Sequence, residues 1–271
     1  ASSNQPEVVD EASAKILSAW TKTTNAGGSN GAMRVHYGIN DDMQRALSLY
    51  WDAGDKMSII QVARDKNTGK VLTNSDGTLA KYNYAIGDNP GNEQLQSVTV
   101  VSGDNPAMKW YANADEYRFY ATYPAIGEES GIKALNPVMP GGTFDKQKKA
   151  RVTVTVPKKQ VCKLTGNNND GWWTSTPDMK NCYMVGESDV YTTTEGTHTI
   201  NFKPIMTTLN IGVRGARDAN SVTVSGVRIY LKDASGKRIA FPDEITLNYQ
   251  TLNYKQNGVQ KSMVNCNYID H

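Results

Sequence analysis

Histidine and cysteine are scarce, with three of each among 271 residues. His36, His198 and His271 stand in two alternating segments and at the last position, with no Ser-His-Asp or Cys-His spacing that would organise a nucleophile. Neither an enzyme nor a bound cofactor is expected. The cysteines form no CxxC pair and no Cys/His cluster at zinc-ligand spacing, so no metal site is expected either. Three are too few to scaffold a chain of this size. Cys162 and Cys182 bracket a segment rich in Gly, Asn and Pro, where two readings stand: one bridge made in an oxidising compartment, or three free thiols. An excess of charge is missing too. With 29 basic and 27 acidic residues the formal net charge is +2, which supplies no electrostatic argument for nucleic acid or an anionic membrane. The basic runs from Lys146 to Arg151 and at Lys158 and Lys159 flank an alternating segment and read as solvated strand ends. No window approaches the ~18 consecutive apolar residues of a membrane-spanning helix. The polar opening ASSNQPEVVD is what a mature or trimmed protein would show.

Short alternating runs are what the chain does have. THTINFKPIMTTLNIGV, residues 197–213, buries even positions first (Ile200, Phe202) and odd ones after Pro204 (Ile205, Leu209, Ile211, Val213). A one-residue shift of parity turns every side chain over, and proline cannot donate to a ladder in mid-sheet, so Pro204 marks a bulge, an edge or a crossing. A domain boundary is expected there. Residues 1–32 read as a leader or tether, polar apart from a helical candidate from Glu11 to Trp20 and ending in NAGGSNG. Residues 33–203 then read as an N-terminal β-sandwich domain and 204–271 as a C-terminal β-domain.

Within the first domain, Met33, Val35, Tyr37 and Ile39 share one strand face. From Met57 to Val62 both parities are largely apolar, the pattern of a strand covered on both sides. Tyr82, Tyr84 and Ile86 share a face, as do Tyr117, Phe119, Ala121 and Tyr123, and in RVTVTVP Val152, Val154 and Val156 point inward. NTGK, NSDGT and ASGKR are turn clusters, so Asp65, Asn67, Asn74 and Asp76 read as turn residues; they lack the order and terminal Glu of an EF-hand. Residues 126–147 read as a long loop, NNNDGWWTSTPDM as a loop bearing Trp172 and Trp173, and Gly226 as a bulge. Punctuation of this kind indicates an all-β sandwich with Greek-key type strands.

Several of these segments together resemble the fimbrillins, subunits of the type V pili of Bacteroidales. They are MRVHYGINDDMQR, then W-x-x-GD at Trp51, Gly54 and Asp55, then Trp110 with FYATYP, then F-K-x-x-M-x-x-L-x-I at Phe202, Lys203, Met206, Leu209 and Ile211, and last V-x-G-V-x-I before a turn. They cover about half the chain, in the family's order. The resemblance implies two transthyretin-like β-sandwich domains; the chain departs from it in that only 67 residues follow Pro204, few for a complete second sandwich, which leaves open a truncated chain, missing loops or a reduced second domain. It implies a lipoprotein displayed at the outer membrane or in a fimbria. It further implies cutting by a trypsin-like protease at Arg45, loss of the strand carrying Met33, Val35, Tyr37 and Ile39, and polymerisation with other pilin subunits through strand exchange. Arg34, inside that strand, is expected to be protected from the protease.

A second class of function stays open beside the structural pilin: a monomeric surface lipoprotein that binds host or bacterial glycans or proteins. Trp172 and Trp173, beside Asn and Asp amides, suit the apolar faces and hydroxyls of a sugar; alternatively, one of them caps the core.

Overall fold

The structure is a computed structural model that describes residues 8–10, 15–19, 36–40, 46–88, 90, 95–100, 108–127, 130–137, 150–161, 163–167, 172–176, 179–205, 227–247, 251–256 and 258–264. In chain order its strands are β1 (Val8–Asp10), β2 (Lys15–Ala19), β3 (His36–Asn40), β4 (Ala46–Tyr50), β5 (Lys56–Asp65), β6 (Ala80–Ile86), β7 (Leu95–Val100), β8 (Trp110–Tyr111), β9 (Ala114–Tyr123) and β10 (Ile132–Pro137). They continue with β11 (Ala150–Thr155), β12 (Lys163–Asn167), β13 (Trp172–Thr176), β14 (Met184–Ser188), β15 (Thr197–Pro204), β16 (Leu231–Lys232), β17 (Arg238–Ile239), β18 (Glu244–Leu247), β19 (Thr251–Gln256) and β20 (Val259–Val264). The only helix among the described residues is the 3-10 turn Met179–Asn181, so the chain is all-β.

Strands β14, β15, β2, β7, β6, β5 and β9 pair in that order, and β9 returns to β14, curling the sheet into a closed barrel. Each pairing is antiparallel except that of β15 with β2. Period-two alternation fills the interior. Met57, Ile59 and Ala63 enter from β5, Tyr82 and Tyr84 from β6, Phe119 and Ala121 from β9, and Ile200 and Phe202 from β15. The opposite faces of β5, β9 and β14 are apolar as well, and there Ile60, Val62, Tyr120 and Val185 form a second core with Ile132, Leu135, Val152, Val154 and Leu247. Those partners belong to a five-stranded sheet of order β10-β11-β18-β19-β20. Strand β5 is thus buried on both faces, as its doubly apolar pattern requires.

At Pro204 the buried face changes: Ile200 and Phe202 pack in the barrel, whereas Ile205 packs against the second core and its N–H donates to the Tyr183 carbonyl at 2.9 Å. The five-stranded sheet takes β10 and β11 from before this proline and β18 to β20 from after it. Leu209, Ile211, Val213 and Gly226 lie outside the described residues.

Three expectations are corrected. The helical candidate at 11–20 contains strand β2, because the backbone groups of β7 and β15 on either side supply ladder partners that outweigh local propensity. The long loop at 126–147 contains β10, paired with β11 from Ile132↔Val154 to Pro137↔Ala150. The tryptophans open a strand, since β12 and β13 form a hairpin in which Asn167 pairs with Trp172 and Gly166 with Trp173.

The turn residues do behave as turns. Asp65 Oδ1 accepts the N–H groups of Thr68 and Asn67 at 2.9 and 2.7 Å, and Asp76 Oδ1 accepts the Thr78 hydroxyl at 2.5 Å and the Thr78 N–H at 2.9 Å. These local bonds hold both carboxyls below the usual carboxylate range.

Gly186, in β14, is held to its lack of a side chain. A Cβ there would stand 2.7 Å from Ile200 Cγ2 and 3.0 Å from the Phe202 ring. Gly186→Ala is expected to lower stability by about 1–3 kcal/mol through overpacking, read as a lower urea midpoint at unchanged slope.

Candidate functional site

Trp51, Gly54 and Asp55 form a turn that locks β4 and β5 to the end of β6. Gly54 has φ +78°, which glycine adopts without steric cost, and its N–H donates to the Ile86 carbonyl at 2.9 Å. The Ile86 N–H donates in return to the Asp55 carbonyl at 2.9 Å. Asp55 is 1 % exposed, and its carboxylate accepts from the Asp52 N–H at 2.8 Å and from the Tyr123 hydroxyl at 2.8 Å. The Trp51 ring meets Tyr123 edge-on at 5.2 Å and Phe202 at 5.1 Å. The segments W-x-x-GD, FYATYP and F-K-x-x-M therefore converge on one spot, although up to 151 residues of sequence separate them. Their residue types are explained by packing: edge-to-face ring pairs contribute about 0.5–1.5 kcal/mol each beyond buried area, and a buried carboxylate requires donors.

The N-terminal strands occupy a different part of the barrel. Strand β2 fills the seam between β15 and β7, parallel to the first from Thr197↔Lys15 to Asn201↔Ala19 and antiparallel to the second from Leu17↔Ser97 to Ala19↔Leu95. Strand β1 pairs with β8, Asp10 opposite Trp110. Strand β3 pairs with β4 in a hairpin, Tyr37 opposite Leu49 and Ile39 opposite Leu47. Each described strand that precedes residue 45 is thus laid against one that follows it. Arg45 falls in the connection between β3 and β4; it, Arg34, Met33 and Val35 lie outside the described residues.

Beside the seam lies an aromatic cluster assembled from β8, β9, β15 and residue 191. His198 is fully buried, with ring centroids of Tyr191 at 4.4 Å, Trp110 at 5.2 Å and Phe119 at 5.8 Å. Its Nε2 lies 2.9 Å from the Thr193 carbonyl, while Nδ1 is buried without a hydrogen-bond partner. A carbonyl only accepts, so in this contact Nε2 is the donor. This cluster could not be read from spacing, because its members come from four segments.

Trp172 and Trp173 occupy consecutive register positions of β13. Cys182 is buried in the barrel core; Cys162 and Cys266 lie outside the described residues. Among the described residues no helix is long and apolar enough to cross a membrane.

In comparisons with known proteins, no family model, no curated protein and no solved structure matches this chain.

Two outcomes are expected from this core. Tyr123→Phe removes a donor from the buried Asp55 carboxylate and should cost about 1.5–3 kcal/mol, measured by urea unfolding at neutral pH. The second concerns alkali. Burial raises the phenol pKa of Tyr82, Tyr84 and Tyr117, and pushes that of Tyr111 up to about 12, against an ordinary value of 10.0. The folded state therefore keeps protons that the unfolded state has already released, so the stabilisation these phenols supply is intact below pH 10 and is lost as pH rises towards 12. Absorbance at 295 nm should show these tyrosinates appearing together with loss of the fold, rather than before it.

Proposed function

We propose that this chain is a structural or accessory subunit of a cell-surface fimbria of the fimbrillin kind. On this reading it assembles by β-strand exchange after cleavage at Arg45 and mediates adhesion. The observation that carries the reading is the placement of β2: it precedes residue 45, yet its ladders with β15 and β7 close the barrel. A cut after Arg45 falls within none of the described strands, and it puts β1, β2 and β3 on one fragment and their partners on the other. The departing fragment would leave β7 and β15 with unpaired N–H and C=O groups, a template for a strand from a neighbouring subunit. The strand whose loss opens the barrel is then β2, leaving together with the β3 strand that carries Tyr37 and Ile39.

In this reading the barrel and the five-stranded sheet, which draws β10 and β11 from before Pro204 and β18 to β20 from after it, stand for the two transthyretin-like sandwich domains that the resemblance implies. A trypsin-like protease and related pilin subunits are the partners, and the location is the outer-membrane surface. The convergence of Trp51, Asp55, Tyr123 and Phe202 supports it, because residues shared with fimbrillins then serve the fold while function resides in strand exchange.

Limited trypsin digestion followed by mass spectrometry and size-exclusion chromatography is the test. Cleavage after Arg45, release of the fragment 1–45 and a concentration-dependent ladder of oligomers are expected, with Arg45→Ala remaining monomeric. Resistance at Arg45, or a cleaved product that stays monomeric with partner subunits supplied, defeats the proposal.

A further inference from the structure

Residues 227–241, the hairpin of β16 and β17 with its flanks, are exposed throughout. Of the eight large hydrophobic residues that stand exposed among the described residues, six fall in this one stretch, which makes them a patch rather than scattered surface residues. Leu231 pairs with Ile239 and Lys232 with Arg238, and side chains opposite each other in a ladder point to one side. Alternation from those pairs puts Val227, Ile229, Leu231, Ile239 and Phe241 on one face of the ribbon. The other face carries Arg228, Tyr230, Lys232 and Arg238.

That second face is organised around one phenol. Arg228 Nη1 donates to the Tyr230 hydroxyl at 3.4 Å, and the Arg238 guanidinium lies 3.8 Å from the centroid of the same ring. Lys237, in the turn, brings the basic side chains between 228 and 238 to four, against Asp233 alone. Asp233 Oδ1 is engaged within the turn, where it accepts the N–H groups of Ser235 and Lys237, each at 2.9 Å, and the Ser235 hydroxyl at 2.6 Å. A chain of nearly balanced total charge thus carries a cationic, amphipathic hairpin.

We infer that this hairpin docks the protein on an anionic lipid surface, with its apolar face seated at the boundary of headgroups and acyl chains and its basic side chains reaching the lipid phosphates. The size of the face selects this occupant over a second copy. Five side chains between 40 and 54 % exposed present on the order of 400 Å² of apolar surface, so two such faces pressed together would bury well under the roughly 1,200 Å² of a stable interface. Two copies would also set like charges against each other. A lipid surface demands no shape complementarity, and attraction to it grows with apolar area and opposite charge together. Seating is shallow, so the unpaired backbone groups at the ribbon's edges stay at headgroup level, within reach of water. Tyr230 suits the same level, where phenols are favoured. The hairpin follows Arg45 and takes no part in the β2 seam, so docking requires neither cleavage nor strand exchange.

The experiment is co-sedimentation of the uncut full chain with vesicles of phosphatidylcholine alone and of phosphatidylcholine and phosphatidylglycerol in equal parts. Binding to the mixed vesicles is expected, at least about tenfold tighter than to phosphatidylcholine and weakened by salt. Ile229→Ser combined with Phe241→Ser should weaken it about tenfold or more, and Lys232→Gln or Lys237→Gln about fivefold each, all at unchanged Tm. The inference is overturned by absence of binding to the mixed vesicles, by equal binding to the two compositions, or by unchanged binding in the doubly substituted serine variant. A lower Tm in that variant also overturns it, since the face would then be packed within the fold. So does a concentration-dependent dimer that the variant abolishes, which would make a second copy the occupant.

Discussion

Closure of the barrel depends on hydrogen bonds that strands β7 and β15 cannot satisfy with each other. Each presents a row of backbone groups to the seam, and β2 supplies both rows at once, antiparallel to one and parallel to the other. A parallel contact needs a long crossover and is slightly weaker per residue than an antiparallel one. That contact joins residues at opposite ends of the barrel's sequence, since β2 is the earliest strand of the closed sheet and β15 the latest. Strands β5, β6 and β7 pair with their neighbours in sequence, whereas β2 with β7, β5 with β9 and β9 with β14 join distant segments. The contact of β2 with β15 spans the longest stretch of chain of any pairing in the barrel.

Around that sheet the two cores share walls. β5 and β9 send alternate residues to opposite sides, so Ile59 and Ala121 pack in the barrel while Ile60 and Tyr120 pack beneath the five-stranded sheet. A change of register in β5 would exchange the two sets and turn the buried Ser58 and Gln61 to the wrong faces. The Trp51 turn opposes such a slip, because Asp55 is fixed at once to Asp52, to Tyr123 and, through its carbonyl, to Ile86. Its burial makes the carboxylate intolerant of losing donors, so it holds the start of β5 against both the end of β9 and the end of β6.

Much of this was legible from alternation. The doubly apolar run from Met57 to Val62 announced a strand covered on both sides, and the face shared by Tyr117, Phe119, Ala121 and Tyr123 is the one that enters the barrel. Parity also located the change of buried face at Pro204. Where reading failed, the controlling contacts were distant or the run was short. KILSA is too brief to separate strand from helix by period, and its partners in β15 lie 182 residues further on. β10 is obscured by the glycines and prolines around it, and the tryptophan pair by the turn-forming residues before it.

The five-stranded sheet imposes an order on biosynthesis. Strand β11 takes β10 as its first neighbour soon after both are made, but its other neighbour is β18, with Val152 opposite Leu247. A ribosome adding about 5–20 residues per second needs several seconds to pass from one to the other. Through that interval RVTVTV, whose alternation and β-branching suit it to pairing with another strand, has an open edge while the chain is still being extended. The basic residues that flank it, Lys146, Lys148, Lys149 and Arg151 before and Lys158 and Lys159 after, then act as electrostatic guards on a nascent strand, keeping identical segments of neighbouring chains apart until β18 arrives.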